Sequence, residues 1–303
     1  MSGGPTDSPP AFAGHQWMRP PGFPRRLDIR ATRAAEPRDG FRIYAPQRPT
    51  ARLRYGIARW PLLRSRVFAR EQPSWPLAEL VERIGIKADH AVAMRSSSPG
   101  RWIVGLEYCH VLVAVAKCGP LHDVGLRREG DLLGVLGHAD PWLRPPELLL
   151  AGEVGGNFAV VTQALPRRVG RASLMEMAEV ATRLTNGALG RPLVHGDLAQ
   201  WNAVRTRDRL WLVDWEHGRP ERVPLWDLAN HLCSEAVLLR RFGPRQVAAH
   251  LVNEGSVGCT HLRSVGENPL RARELVLAYL DGRTTSATTS EQRFELRLRR
   301  YLE

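Results

Sequence analysis

Two short stretches constrain this chain more than any others: VHGDLAQWN at 194–202 and LVDWEHG at 212–218. Each places an aspartate, Asp197 or Asp214, at the end of a short apolar run, and Asn202 stands between them. Asp, Asn and Gly are common where strands turn, so turn chemistry is the plain reading. The sharper reading is a site, because three such side-chain oxygens can hold a hard divalent cation and orient a nucleophile.

The flanking pattern supplies a scaffold. AVAMR (91–95) and RWIVGL (101–106) flank SSSPG, which reads as a hairpin. HVLVAVAK (110–117) is a continuous apolar run ending in lysine. VGLRREGDLLGVLG (124–137) has helical spacing, while ELLLAGE (147–153) and FAVVTQAL (158–165) read as strands. Helical stretches follow at 173–189, 225–241, 244–253, 269–281 and 290–302, with short strands around the two aspartates. The expected class is α+β in two lobes, a small antiparallel sheet over 89–164 and a mainly helical lobe over 165–303 that carries both loops. Residues 1–88 read as a basic, Pro/Arg-rich extension, partly disordered. It includes an Arg-rich amphipathic stretch at 51–68, interrupted by Pro61, and helical spacing in LAELVERIG at 77–85.

With 303 residues, 43% of them hydrophobic, the chain can build two lobes. Cys109, Cys118, Cys233 and Cys259 form no CxxC pair or Cys/His knuckle, so neither a disulfide framework nor a zinc site is expected. No apolar run approaches a membrane span and no charged-then-apolar leader opens the sequence, so a cytoplasmic location is expected. The net charge of +12 is uneven: residues 1–70 hold 14 arginines against 4 acids, and residues 71–303 hold 29 basic residues against 27 acidic ones. The first 70 residues therefore offer a surface for an acidic partner or, peripherally, an anionic membrane. Specific nucleic-acid reading finds no zinc finger or RNA-stacking motif. Of 43 basic residues only Lys87 and Lys117 are lysine. Lys117 offers a compact point charge that arginine does not, although a snorkelling strand-end lysine is the plainer reading.

The motifs VAVAK (113–117), HGDLAQWN (195–202), VDWE (213–216) and PLWDLA (224–229) together give the chain its likeness. VAVAK is close to the kinase V-A-I-K, and HGDLAQWN has the Asp-to-Asn spacing of H-R-D-L-x-x-x-N with Gly196 in place of arginine. VDWE stands where D-F-G would stand. Over roughly residues 90–235 the set resembles the aminoglycoside phosphotransferase and choline kinase group of small-molecule kinases, which have a protein-kinase-like fold. The resemblance implies that Asp197 is the catalytic base, that Asn202 and Asp214 bind Mg2+, and that Lys117, held by Glu129, meets the phosphates of ATP or GTP. Asp123 and Asp131 are rivals of Glu129 for that lysine. It further implies that Ser97, Ser98 and Gly100 cover the nucleotide, and that Gln163 and Leu165 belong to the hinge beside the adenine. His195 and Asp227 are expected to support the loop, and Glu216 reads equally as a metal-side carboxylate or a solvated acid. No G-x-G-x-x-G precedes Lys117, and the loss of the loop arginine removes an expected sensor of activation-loop phosphate.

The expected activity is transfer of a γ-phosphoryl group to a hydroxyl of a small molecule. Residues 229–303 carry 8 acids and 11 arginines, which favours a sugar or other neutral or anionic metabolite over a polycationic aminoglycoside. Two other readings stand beside it. One is a nucleotide-binding pseudokinase that tethers through the basic arm. The other is a protein kinase, weakened by HGD, DWE and the lack of an evident A-P-E segment.

Overall fold

A computed structural model describes residues 75–96, 98–138, 140–283 and 289–303, and the backbone of short strands at 10–11, 17–18, 29–32 and 70–71. The amphipathic stretch at 51–68 and Ser97 lie outside the described residues. The chain divides into two compact units, one ending at Gly134 and resuming over Pro146–Leu165, the other made of Val135–Pro145 and Pro166–Glu303. The first is built on an antiparallel sheet and the second is mainly helical, the α+β division expected from the sequence.

In the sheet unit, α1 (Leu77–Ile84) precedes β1 (His90–Arg95), β2 (Trp102–Tyr108) and β3 (Val111–Pro120). Helix α2 (Val124–Val135) follows. The two-residue strand β4 (Leu143–Arg144) belongs to the other unit, and β5 (Leu148–Val154) and β6 (Asn157–Gln163) complete the sheet. The order is β5-β6-β3-β2-β1, and short strands at Ile29–Thr32, Trp17–Met18 and Arg70–Glu71 continue it past β1. The β1–β2 turn follows its sequence: Pro99 precedes Gly100 at φ +73°, and Arg101 N–H donates to the Ser98 carbonyl, the arrangement of a type II turn.

Strand alternation sorts the side chains. Ala93, Val104, Leu106, Ala114, Ala116, Cys118, Ala159 and Val161 share one buried core with Leu80 of α1. Helix α1 therefore packs with the sheet, although the sequence places it in the N-terminal extension. Lys117 lies between Ala116 and Cys118 in β3, so the two-residue period turns it to the opposite face. That face meets α2, where a Cβ on Gly130 would lie 2.8 Å from the Ala151 Cβ. Only glycine lets the helix approach so closely.

The helical unit begins with a structural loan from the segment between the sheet strands. β4 pairs in parallel with β8 (Leu210–Leu212), which forms an antiparallel hairpin with β7 (Ala203–Arg205). Asp140 fastens the same segment: Oδ1 accepts the Trp142 and Leu143 N–H groups, and Oδ2 accepts Arg183 Nη1 at 2.6 Å. Arg183 belongs to α3 (Leu174–Thr185), which opens on a capping box: Ser173 Oγ accepts the Glu176 N–H, and the Glu176 carboxylate accepts the Ser173 N–H. Then come α4 (Trp226–Val237), α5 (Pro244–Val252), α6 (Val257–Ser264), α7 (Ala272–Gly282) and α8 (Thr289–Leu302). Helix α6 is absent from the sequence expectation, and a Cβ on its Gly258 would lie 2.1 Å from the Leu251 carbonyl oxygen, so α6 rests directly on the backbone of α5.

Candidate active site

The β7–β8 hairpin separates the two motif loops and also joins them. Asn202 precedes the hairpin and its backbone carbonyl accepts the Val213 N–H at 2.9 Å. His195 Nε2 donates to the Val213 carbonyl at 3.0 Å, which fixes that tautomer. Both links grip the residue just before Asp214. Trp215 is fully buried, packs at a tilt with its ring centroid 4.6 Å from that of His195, and donates from Nε1 to the Leu212 carbonyl. The Trp of VDWE is thus the anchor of a short 3-10 turn, Trp215–His217. Asp214 opens that turn at φ 71°, a left-handed backbone that costs a non-glycine residue energy and recurs at functional sites.

The loop around Asp197 is held from several sides. Asp227, near the start of α4, accepts the His195 N–H at 2.8 Å and the Gly196 N–H at 2.9 Å. Arg168 Nη2 donates to the carbonyls of Trp201 and Ala203, at 3.2 and 2.7 Å. Gly196 adopts φ +80°, and a Cβ there would lie 2.4 Å from the His217 carbonyl oxygen. No arginine fits this backbone, which gives a local physical reason for HGD in place of HRD.

Asp197 receives two amides. Asn202 Nδ2 donates to its Oδ2 and to its backbone carbonyl, both at 2.9 Å, and Asn230 Nδ2 lies 3.5 Å from its Oδ1. Burial, with help from the Asp214 charge, holds the Asp197 pKa above the usual carboxylate value against the opposing pull of His217 and the two amides. His217 in turn is raised by its contact with Glu216 and by both aspartates. Burial pushes Asp227 up to about 6, although its two backbone donors favour the anion.

The donor set fits a hard cation. Both N–H groups of the Asn202 amide are spent on Asp197, so Oδ1 is the end left for a ligand. With the Asp214 carboxylate it would offer an all-oxygen donor set of the kind Mg2+ takes. Among the described residues no cluster of three His, Cys, Asp or Glu side chains has metal-binding geometry.

In the sheet unit, Lys117 Nζ donates to both oxygens of Glu129 at 2.7 Å, and Glu129 is buried. The rivals are accounted for: Asp123 forms a two-pronged pair with Arg101 and accepts the Leu126 N–H at 3.0 Å at the start of α2, and Asp131 is exposed. The Ser98 N–H goes to Ser96 Oγ at 3.3 Å. Gln163 N–H donates to the Glu147 carbonyl and Ala164 N–H to the Val113 carbonyl, so both donors are used inside the sheet unit. The structure thus brings Asp197, Asn202, His195 and Asp227 into one hydrogen-bonded loop with the Val213–Asp214 turn, and pairs Lys117 with Glu129. Ser98, Gly100, Gln163 and Leu165 belong to the sheet unit as well.

No protein-family model matches the chain, and no curated protein matches it. Among solved structures the chain is similar to small-molecule kinases. A thermostable mutant of the aminoglycoside phosphotransferase APH(4)-Ia aligns at 14% identity over 74% of this chain and 98% of that one, TM-score 0.42. A protein assigned as a fructosamine-3-kinase from Haemophilus somnus aligns at 12% identity over 75% and 96%, TM-score 0.46. The streptomycin–ATP complex of APH(2″)-IIa aligns at 12% identity over 67% and 88%, TM-score 0.40. At this distance the chemistry of the chain has to come from its own residues.

Sequence reasoning missed Asn230, Tyr279, His217 and Arg168. Asn230 had a usable signal: it lies three residues after Asp227 on a helix, hence on the same face. Arg168 reaches the loop directly and Tyr279 only through Asn230, both across long sequence separations, and they had none.

Proposed function

We propose that the chain is a phosphotransferase that moves the γ-phosphoryl group of a nucleoside triphosphate to a hydroxyl of a small molecule. The observation that carries the reading is the hydrogen-bonded Asp197–Asn202 loop, braced by Asp227 and tied to the residue before Asp214. A carboxylate raised in pKa by burial is suited to accept a hydroxyl proton as the acceptor oxygen attacks the γ-phosphorus. The bond to the β–γ bridging oxygen then breaks and the nucleoside diphosphate leaves. Lys117, kept straight by Glu129, contributes fixed positive charge for the phosphates. Asn202 and Asp214 would hold Mg2+, which supplies charge neutralisation of the nucleotide phosphates. Ser97, Ser98, Gly100, Gln163 and Leu165 remain candidates for nucleotide contacts. The acceptor proposed is a sugar or other hydroxyl metabolite that is neutral or anionic, in keeping with the arginine excess over 229–303.

Calorimetric titration of ATP and GTP, with and without Mg2+, tests this in wild type and Asp214→Asn. Binding that needs Mg2+ and is lost in the variant supports the reading, and a hydroxyl-metabolite screen then names the acceptor. Absence of binding for both nucleotides rejects it. Efficient transfer to an aminoglycoside with none to hydroxyl metabolites rejects the acceptor class.

A further inference from the structure

A polar network runs from Asp197 to the last helix of the chain. Asn230 of α4 lies between Asp197 and the Leu198 carbonyl on its Nδ2 side, at 3.5 and 3.4 Å. Its Oδ1 accepts the Tyr279 hydroxyl of α7 at 3.2 Å. That hydroxyl accepts Arg283 Nη1 at 3.3 Å, and Nη1 also lies 3.3 Å from Glu295 Oε1 of α8. Asn230 and Tyr279 are buried. Cys233, one turn along α4 and close enough to sense the Tyr279 hydroxyl, is held neutral by burial, its pKa pushed up to about 12.

The network has a direction. An asparagine amide turned by half a rotation exchanges donor and acceptor, and its oxygen would then repel the Asp197 carboxylate. A phenol has one proton, and a guanidinium can only donate. With Arg283 donating to its oxygen, Tyr279 directs its proton at Asn230 Oδ1, which leaves Nδ2 for Asp197. Glu295 faces Arg283 as an ion pair at 3.3 Å, by charge and without a hydrogen bond to its Oε1.

We infer that Tyr279, Arg283 and Glu295 are positioning residues: they fix the polarity of the Asn230 amide so that its N–H side faces Asp197, and they make the last two helices part of the site. The catalytic consequence rests on the reading of Asp197 as base; the geometry does not.

Tyr279→Phe in the full chain removes the hydroxyl alone, and Glu295→Gln is a second variant in case the first does not fold. The direct readout is the side-chain 15N–1H amide pair of Asn230, assigned with Asn230→Ala. Both proton shifts are expected to move and their solvent exchange to speed up in Tyr279→Phe, with a smaller change of the same sign in Glu295→Gln. Slow Mg·ATP hydrolysis without acceptor should fall about tenfold while the Kd for Mg·ATP stays within about twofold. Unchanged Asn230 resonances in the folded variants overturn the inference, as do altered resonances with unaltered turnover. A wild-type chain that binds no Mg·ATP rejects the phosphotransferase reading instead, and the resonances still decide the network.

Discussion

At residue scale, Gly196 shows how one missing methyl fixes a loop. The positive φ and the 2.4 Å approach to the His217 carbonyl act together, so Gly196→Ala must both strain the backbone and push the two motif loops apart. Its expected cost is about 1–3 kcal/mol, the range of overpacked sites, read from urea unfolding at constant m-value. A variant as stable as wild type would mean that the loop has another path open to it. Asp197 carries a different expectation. Asp197→Asn keeps the side-chain shape and removes the proton acceptor, so turnover should fall by roughly 10²–10⁴-fold with nucleotide affinity nearly intact. Normal turnover in this variant would displace Asp197 from the role of base.

The elements divide according to how locally they are determined. SSSPG and the helix ending at Gly85 announce themselves, because their hydrogen bonds and turn dihedrals involve only neighbours. Helix α6 does not. Its sequence, VGCTHLRS, mixes glycine and β-branched residues of poor helix propensity, and it forms because Ser256 caps it and Gly258 lets it rest on α5. The site divides in the same way. Lys117, Asp197, Asn202 and Asp214 are legible from motif spacing, and Glu129 only as one of three acids. Tyr279 comes against Asn230 solely through the packing of α7. Helix α4 bridges the two classes, since Asp227 and Asn230 reach the loop from one face. Asp227→Asn should leave one of the His195 and Gly196 N–H groups facing an amide NH2. We expect a loss of about 1–3 kcal/mol, seen as a lower unfolding midpoint, together with reduced turnover. A variant with unchanged stability would show that the brace is dispensable.

Across the whole molecule, two buried histidines set the response to acid. His261 Nε2 accepts the Leu225 N–H at 3.1 Å, and its Nδ1 donates to Thr182 Oγ1, whose own proton goes to the Ala178 carbonyl. A proton on Nε2 has nowhere to go but against a donor. Burial lowers both His261 and His231 to about 4. A histidine lowered in the fold contributes stability that is full above its unfolded pKa, near 6.5, and is lost as pH falls towards about 4. Each contributes about 3 kcal/mol at most, while protonation of Asp227, raised to about 6, works in the opposite sense over the same range. Unfolding midpoints measured from pH 7 to pH 4 should fall in wild type, with a shallower fall in His231→Leu. Equal slopes in the two proteins would exclude the His231 contribution.

The rarity of lysine in this chain turns the Lys117–Glu129 clamp into a handle for chemistry. Apart from the α-amino group, an acylating reagent meets only two amines, and they stand in opposite states. Lys87 is exposed, whereas Lys117 is gripped by both carboxylate oxygens of a buried acid. Mild acylation therefore marks Lys87 first, and loss of Glu129 unmasks the second site. A mass spectrum of the labelled protein counts intact clamps molecule by molecule, with no substrate needed.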